Sequence, residues 1–347
     1  MTSAAEALDQ AQGTSSRARP GAEAGPKAEQ NPIGVIVLNL GTAETPDELP
    51  GYIRRLLSDP DVVPLPWPLR QIIGLVAAAR RAGPVAEHYR AIGGRSPLHA
   101  ETRRQIEALR ADLGHGWTVR FAFRHSTPYA GAVLDGLRET GTRRLVALPA
   151  YPQYSQATTG SGMKVLEREA RQRGMELVAV RSYPDAPGYV EALANATARL
   201  VEPGDYVLYS AHGLPQRMVD QGDPYVGEVE RTFRAATARL PAGTPCSLAY
   251  QSRVGRMKWT GPYLRDELSR LGREGVKSLV IVPVSFVCEN LETLYELDIE
   301  HAELARAAGI ARYRRAAVPG DSPCFIRELA GLCRGQARQA GWEQAHG

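Results

Sequence analysis

No run of apolar residues in this chain approaches the roughly 18 to 20 needed to cross a bilayer, and the first residues carry no apolar core of a secretory leader. A membrane span is therefore not expected. Cysteine is scarce: Cys246, Cys288, Cys324 and Cys333 lie far apart and form no C-x-x-C pair. That spacing argues against a structural zinc site or a disulfide framework, and isolated thiols suit a reducing cytoplasm. Nor do the basic residues gather into a stripe. With 42 Lys and Arg against 38 Asp and Glu, the net charge is only +4, which argues against nucleic acid as a partner.

What is present is the composition of an ordinary globular protein, 43% hydrophobic and 23% charged. At 347 residues the chain exceeds what one core usually serves, so two domains are expected. Residues 1–31 are rich in Ala, Gly, Ser, Gln and Pro without apolar periodicity and read as a disordered tail. Its acids, Glu6, Asp9 and Glu23, argue against an organellar transit peptide.

From Ile33 onward, short β-rich runs alternate with helical stretches. Strands are expected near 34–41, 119–123, 145–148 and 177–180, and helices near 46–58, 98–113, 129–140 and 161–173. The pattern then repeats, with strands near 206–209, 247–250, 279–284 and 312–316 and a last helix near 323–340. This predicts an α/β fold of two similar Rossmann-like domains, 32–184 and 185–347, each a four-stranded parallel sheet flanked by helices. One stretch breaks the rhythm. Residues 62–81 are apolar, carry three prolines and close on Arg80 and Arg81. They are either a buried connecting helix or an exposed lip for a hydrophobic ligand or membrane surface.

The strand run Tyr206–Tyr209 ends in Ser210-Ala211-His212-Gly213-Leu214-Pro215. It delivers an imidazole to the carboxyl edge of a sheet, where open α/β folds place ligands. Most lone histidines at strand ends are structural, so His212 becomes a candidate only in company. That company follows the run 279–284. Glu289, Glu292, Glu296 and Glu300 step by three, four and four, and at about 100° per residue they share an arc of about 80° of an α-helix. The alternatives are a solvated helix face and a path for cations or protons. No Lys or Arg occurs from 278 to 305 to pair with these acids, and Asp298 projects toward the apolar side, an expensive place for a carboxylate unless something binds it. The loop Tyr151-Pro152-Gln153-Tyr154-Ser155 before a helix would suit a flat ligand with anionic groups, or be a simple capped turn. Ser252–Trp259 is basic but of low specificity.

The segments Ser210–Pro215, Gly222–Tyr225, Leu38–Gly41, Tyr89–Pro97, Tyr151–Ser155, Tyr250–Gly255, Trp259–Pro262 and Glu292–Glu300 together resemble the ferrochelatases, which insert ferrous iron into a porphyrin late in haem synthesis. The resemblance runs from about residue 33 to 333. It implies two Rossmann-like domains with a porphyrin cleft between them. It also implies a catalytic pair, His212 and Glu292, which takes pyrrole protons or holds the incoming iron, with Glu296 and Glu300 as an acidic path beyond. By the same resemblance Arg81, Tyr89 and Ser96 hold the porphyrin and its propionates, Arg124, Tyr151 and Trp259 line the cleft, and 62–81 is a lip meeting the membrane.

Three departures accompany it. Asn290 stands where many relatives have histidine. Gln156 replaces a cysteine of the cluster-bearing relatives, and Cys324 and Cys333 are nine residues apart, which argues against an iron–sulfur cluster. Leu40 stands where coproporphyrin-using relatives have tyrosine, which favours protoporphyrin IX. The expectation is a cytoplasmic, peripherally membrane-associated ferrochelatase that needs no cofactor, with porphyrin and Fe²⁺ as substrates and a contact with the preceding pathway enzyme. The competing readings are a coproporphyrin III ferrochelatase, another tetrapyrrole metal chelatase and a non-catalytic tetrapyrrole carrier.

Overall fold

A computed structural model describes residues 32–255 and 257–342; the tail read at 1–31 lies outside the described residues. In chain order the first half holds β1 (Ile33–Asn39), α1 (Leu49–Leu57), α2 (Trp67–Ala91), α3 (Leu98–Leu113), β2 (Trp117–Phe123), α4 (Ala130–Glu139), β3 (Arg144–Pro149), α5 (Ser161–Gln172) and β4 (Glu176–Ala179). The second holds α6 (Pro187–Ala198), β5 (Tyr206–His212), α7 (Gln216–Asp220), α8 (Tyr225–Thr237), β6 (Cys246–Gln251), α9 (Leu264–Arg273), β7 (Ser278–Pro283), a π-helix (Glu292–His301), α10 (Ala302–Ala307), β8 (Arg312–Arg315) and α11 (Pro323–Gln339).

Two parallel four-stranded sheets result, ordered β2-β1-β3-β4 and β6-β5-β7-β8, so the expected fold class is observed. The registers match in kind: Ile33 faces Trp117 and Arg144 across β1, and Val207 faces Cys246 and Val280 across β5. In each sheet the first strand in sequence lies inside the order, so the chain reverses direction on either side of it. Such a switch point opens a crevice at the carboxyl end of that strand. For β1 that end is Asn39, and for β5 it is His212.

The two-residue period of a strand explains how the layers separate. In β1, Ile36 and Leu38 pack on α4 and α5, whereas Val35 and Val37 join a second cluster. In β5, Leu208 faces α9 and α10, whereas Val207, Tyr209 and Ala211 join that same second cluster. One apolar core therefore serves both sheets, filled by α3, α6, α8 and α11. The last helix belongs to both halves: Phe325 lies against Tyr183 and Tyr189, and Arg334 pairs with Asp112 of α3. Two buried amides tie the halves further. Gln105 Nε2 donates to Val287 O and Gly320 O, each at 2.8 Å, and Gln153 Nε2 donates to Thr232 Oγ1 at 2.8 Å and Val284 O at 2.9 Å.

The stretch 62–81 resolves in favour of exposure. α2 runs on to Ala91 and buries Gly74, Ala78 and Tyr89, with Gly74 close enough to Arg54 O that a Cβ would sit 3.0 Å away. Its other face shows Trp67, 66% exposed, with Leu69, Ile72, Leu75 and Val76. It is not a buried connecting helix.

Beneath α1, buried Asp59 accepts from Arg124 Nη2 at 2.9 Å and Ser161 Oγ at 2.6 Å, with His125 Nε2 3.3 Å away. Burial, reinforced by the Arg124 charge, pushes the His125 imidazole down to about 4. The unfolded chain takes up a proton near pH 6.5, so this group stabilises the fold fully above that pH and progressively less as pH falls toward 4. The loss is expected to be on the order of 2 to 3 kcal/mol. Urea midpoints of wild type at pH 7.5 and 5 should diverge more than those of His125→Asn; equal divergence would remove His125 from the account.

Candidate active site

The two switch points face one cleft of about 370 Å³. Its walls come from Asn39–Thr42 after β1, Ala150 and Tyr151 after β3, His212–Leu214 after β5 and Ser285–Cys288 after β7, and from residues of α1 and α2. The first wall is held by three tyrosines. Tyr52 OH donates to Gly41 O at 2.9 Å, Tyr151 OH to Asn39 Oδ1 at 2.8 Å, and Tyr89 OH to Ala43 O at 2.7 Å. Thr42 Oγ1 then donates to Tyr89 OH at 2.9 Å, since that phenol has one hydrogen. Burial raises Tyr89 to about 12, so it acts as a neutral donor. Gly41 is required here: at φ 79° it sits where a Cβ would meet Ser126 Oγ at 2.1 Å.

His212 is fixed by its main chain. Its N–H donates to Ser285 Oγ at 3.2 Å, and its carbonyl accepts from Tyr225 OH at 2.9 Å. Because the Tyr225 hydrogen is thereby occupied, Ser285 is the donor in the 2.7 Å contact between the two hydroxyls. The three bonds close a ring. His212 Nδ1 lies 2.6 Å from Gly213 O, a carbonyl that can only accept, so the neutral ring carries its proton on Nδ1 and presents a lone pair at Nε2. Gly213 also packs directly on β6, its N–H donating to Gln251 O at 2.9 Å where a Cβ would meet that oxygen at 2.8 Å.

The acidic segment differs from expectation. Glu292–His301 is π-helical, with i→i+5 bonds and a wider turn, so the arc calculated for an α-helix does not apply. Glu292 and Glu296 line the cleft, while Glu289 turns to Arg315 at 3.0 Å and Glu300 to Arg265 at 3.4 Å. The absence of cations between 278 and 305 is thus made good from elsewhere, and Asp298 is bound by Arg315 rather than by a ligand. Burial, then the nearby Glu292 charge, raises the Glu296 pKa. Glu296 Oε2 accepts from Gln251 Nε2 at 3.0 Å and Ser252 Oγ at 2.5 Å. Ser252 holds φ 63°, a left-handed conformation costing a non-glycine residue about 1 kcal/mol, and so brings its hydroxyl to the carboxylate. Among the described residues, no three His, Cys, Asp or Glu side chains form a group that could hold a metal ion.

A family model described as Ferrochelatase matches residues 32–337. The chain belongs to the ferrochelatase family. The ferrochelatase of Nostoc sp. is 38% identical over 315 residues, covering 86% of this chain and 81% of the relative. That of a Synechococcus sp. is 40% identical, covering 87% and 92%. Among solved structures, SirB of Bacillus subtilis with Fe³⁺ aligns with TM-score 0.54 at 14% identity, covering 70% of this chain and 91% of that one. This last likeness concerns the fold. As a ferrochelatase, the protein is a metal-insertion lyase of haem biosynthesis that acts on porphyrin and iron.

Of the ferrochelatase positions named from sequence, Arg81, Tyr89, Tyr151, His212, Glu292 and Glu296 meet at the cleft. Four do not line it. Ser96 is buried and accepts from Leu98 N. Arg124 is tied to Asp59 and Ser161. Glu300 is at the surface with Arg265. Trp259 stands behind His212, ring centroids 6.5 Å apart, and donates to Val254 O. Asn290 lines the cleft but exchanges two 3.0 Å bonds with Thr293 across the start of the helical segment, as in a capping box. Arg256 of the basic 252–259 stretch lies outside the described residues. Sequence reasoning gave no role to Tyr52, Asn39, Tyr225, Ser285 or Gln251; each acts through hydrogen bonds to partners distant in the chain, which no local pattern encodes.

Proposed function

We propose that this ferrochelatase takes protoporphyrin IX and ferrous iron, with His212 and Glu292 as its catalytic pair. The observation that carries the substrate is the charge and polarity of the cleft. Leu40 stands in its wall among Leu49, Ile53, Leu56, Val85 and Phe286, and Arg81 is the one Lys or Arg among the described lining residues. A ring with two propionates suits one arginine at an exposed rim. A ring with four would bring more anions beside Glu292 and Glu296 with nothing to meet them.

In this reading, the apolar walls hold the macrocycle edge-deep and exclude water. The lone pair on His212 Nε2 accepts a pyrrole proton. Glu292 and the poorly solvated Glu296 share the charge change as two protons leave and Fe²⁺ takes their place on the ring nitrogens. The porphyrin supplies four nitrogens itself, so few protein ligands are needed for a metal in transit: Glu292, and His212 only before its Nε2 lone pair takes the proton. No redox step occurs, and neither a nucleotide nor an iron–sulfur cluster is required.

No helix among the described residues is long and apolar enough to cross a membrane. The exposed face of α2, flanked by Arg70, Arg80 and Arg81, supports peripheral contact with an anionic leaflet from a cytoplasmic location, where the enzyme making the porphyrin could hand over its product. Anaerobic insertion of Fe²⁺ into protoporphyrin IX and coproporphyrin III, each with and without anionic vesicles, tests both points. Faster consumption of protoporphyrin and co-sedimentation with the vesicles are expected. Preference for coproporphyrin would overturn the substrate, and failure to sediment would overturn the membrane contact.

A further inference from the structure

Arg315, the last residue of β8, lies outside the cleft, and its side chain is only 11% exposed. Its Nε and Nη2 fork onto both oxygens of Asp298 at 2.6 and 2.9 Å, while Nη1 reaches Glu289 Oε1 at 3.0 Å. One guanidinium therefore grips the acidic segment on both sides of Glu292 and Glu296. The grip is continued on each side. Glu289 Oε2 accepts from Thr293 Oγ1 at 2.6 Å, and Tyr313, two residues before Arg315 and on the same face of β8, donates its hydroxyl to Leu297 O at 2.8 Å.

We propose that Arg315 is the positioning residue of this active site: by bridging Glu289 and Asp298 it sets the register of the π-helix and with it the placing of Glu292 and Glu296 in the cleft. This rests on the catalytic reading of those carboxylates given above. The physical ground is the geometry of the fork. A π-helix is rare; narrower turns would keep Glu292 and Glu296 on one face, but they would change the rotation per residue along the segment, so that face would turn relative to the cleft and Asp298 would turn relative to Glu289. A planar, bidentate guanidinium opposes that rotation as a point charge cannot. The hydrogen-bond partners of Arg315, Asp298, Glu289 and Ala316 O, do not line the cleft.

The test compares Arg315→Gln, Arg315→Lys and Asp298→Asn in the full-length enzyme. Arg315→Gln is expected to lower kcat about 10- to 100-fold with the porphyrin KM changed less than about threefold. Arg315→Lys should not rescue it, because lysine cannot fork. Asp298→Asn, a milder change at a side chain 35% exposed, should lower kcat in the same direction, and adding it to Arg315→Gln should have no further effect. Amide hydrogen exchange over 292–301 should quicken in each variant, a readout independent of turnover. If wild type inserts iron but Arg315→Gln keeps its kcat, or the two substitutions add fully, the positioning role is wrong. If Arg315→Gln does not fold, unchanged kcat and exchange in Asp298→Asn overturn it. Quickened exchange in a protein whose wild type does not insert iron would instead place the failure in the catalytic reading.

Discussion

Replacing His212 by Ala is expected to slow iron insertion by about 10²- to 10⁴-fold, equivalent to about 3 to 5 kcal/mol of barrier, while porphyrin affinity stays within a few-fold. The split follows from how the residue is held. The bonds that fix the His212 main chain, from Ser285 and Tyr225, do not involve its ring, so removing the ring should leave strand and loop in place. What goes is the Nε2 lone pair, the proton acceptor that the Gly213 carbonyl orients by taking the other ring proton. The apolar walls that would hold the macrocycle come from other residues. Insertion is followed by anaerobic visible absorption and binding by porphyrin fluorescence. Normal turnover would remove His212 from the chemistry, and parallel loss of binding would make it a binding residue.

Glu292→Gln should cost about 100-fold or more in kcat, whereas Glu300→Gln should fall within about twofold, and Glu296→Gln between them. Glu292 lines the cleft, and among the described residues no hydrogen-bond donor occupies its carboxylate oxygens. Glu296 is there too, but one oxygen is already held by Gln251 and Ser252. Glu300 is a surface acid, its side chain 41% exposed, facing Arg265 at 3.4 Å, and such pairs contribute little. Rates for the three variants under saturating porphyrin decide it. Equal losses at Glu292 and Glu300 would restore an acidic path running through the whole segment.

Much of this architecture was legible in the chain because its signals are local. Strands such as Val35–Leu38 and Leu279–Val282 are β-branched and apolar, and helices such as 98–113 show a 3.6-residue period, stopped here by Gly114 at φ 77°. The π-helix was not legible. Its carboxylate spacing fits an α-helix equally well, and the choice between i→i+4 and i→i+5 bonds is made by tertiary partners. One of those partners, Arg315, lies beyond the window in which a counter-charge for Asp298 could be sought. Arg124 shows the converse. The family resemblance suggests a cleft residue, yet Asp59, which is 65 positions earlier and buried, claims it.

The single core shared by the two sheets constrains how substrate can enter. Many two-lobed α/β proteins open like a book about a wet seam, but here the seam is solid: α11 crosses it, and Gln105 and Gln153 are pinned across it with buried bonds. Spreading the lobes would wet that core and strand those amides, each at about 1 to 3 kcal/mol, before any porphyrin contact offset the loss. The lobes therefore resist parting. The hairpin of α1 and α2 packs instead on a smaller apolar cluster with Ala43 and Leu291, separate from that core, so moving this wall would expose less buried surface than parting the domains.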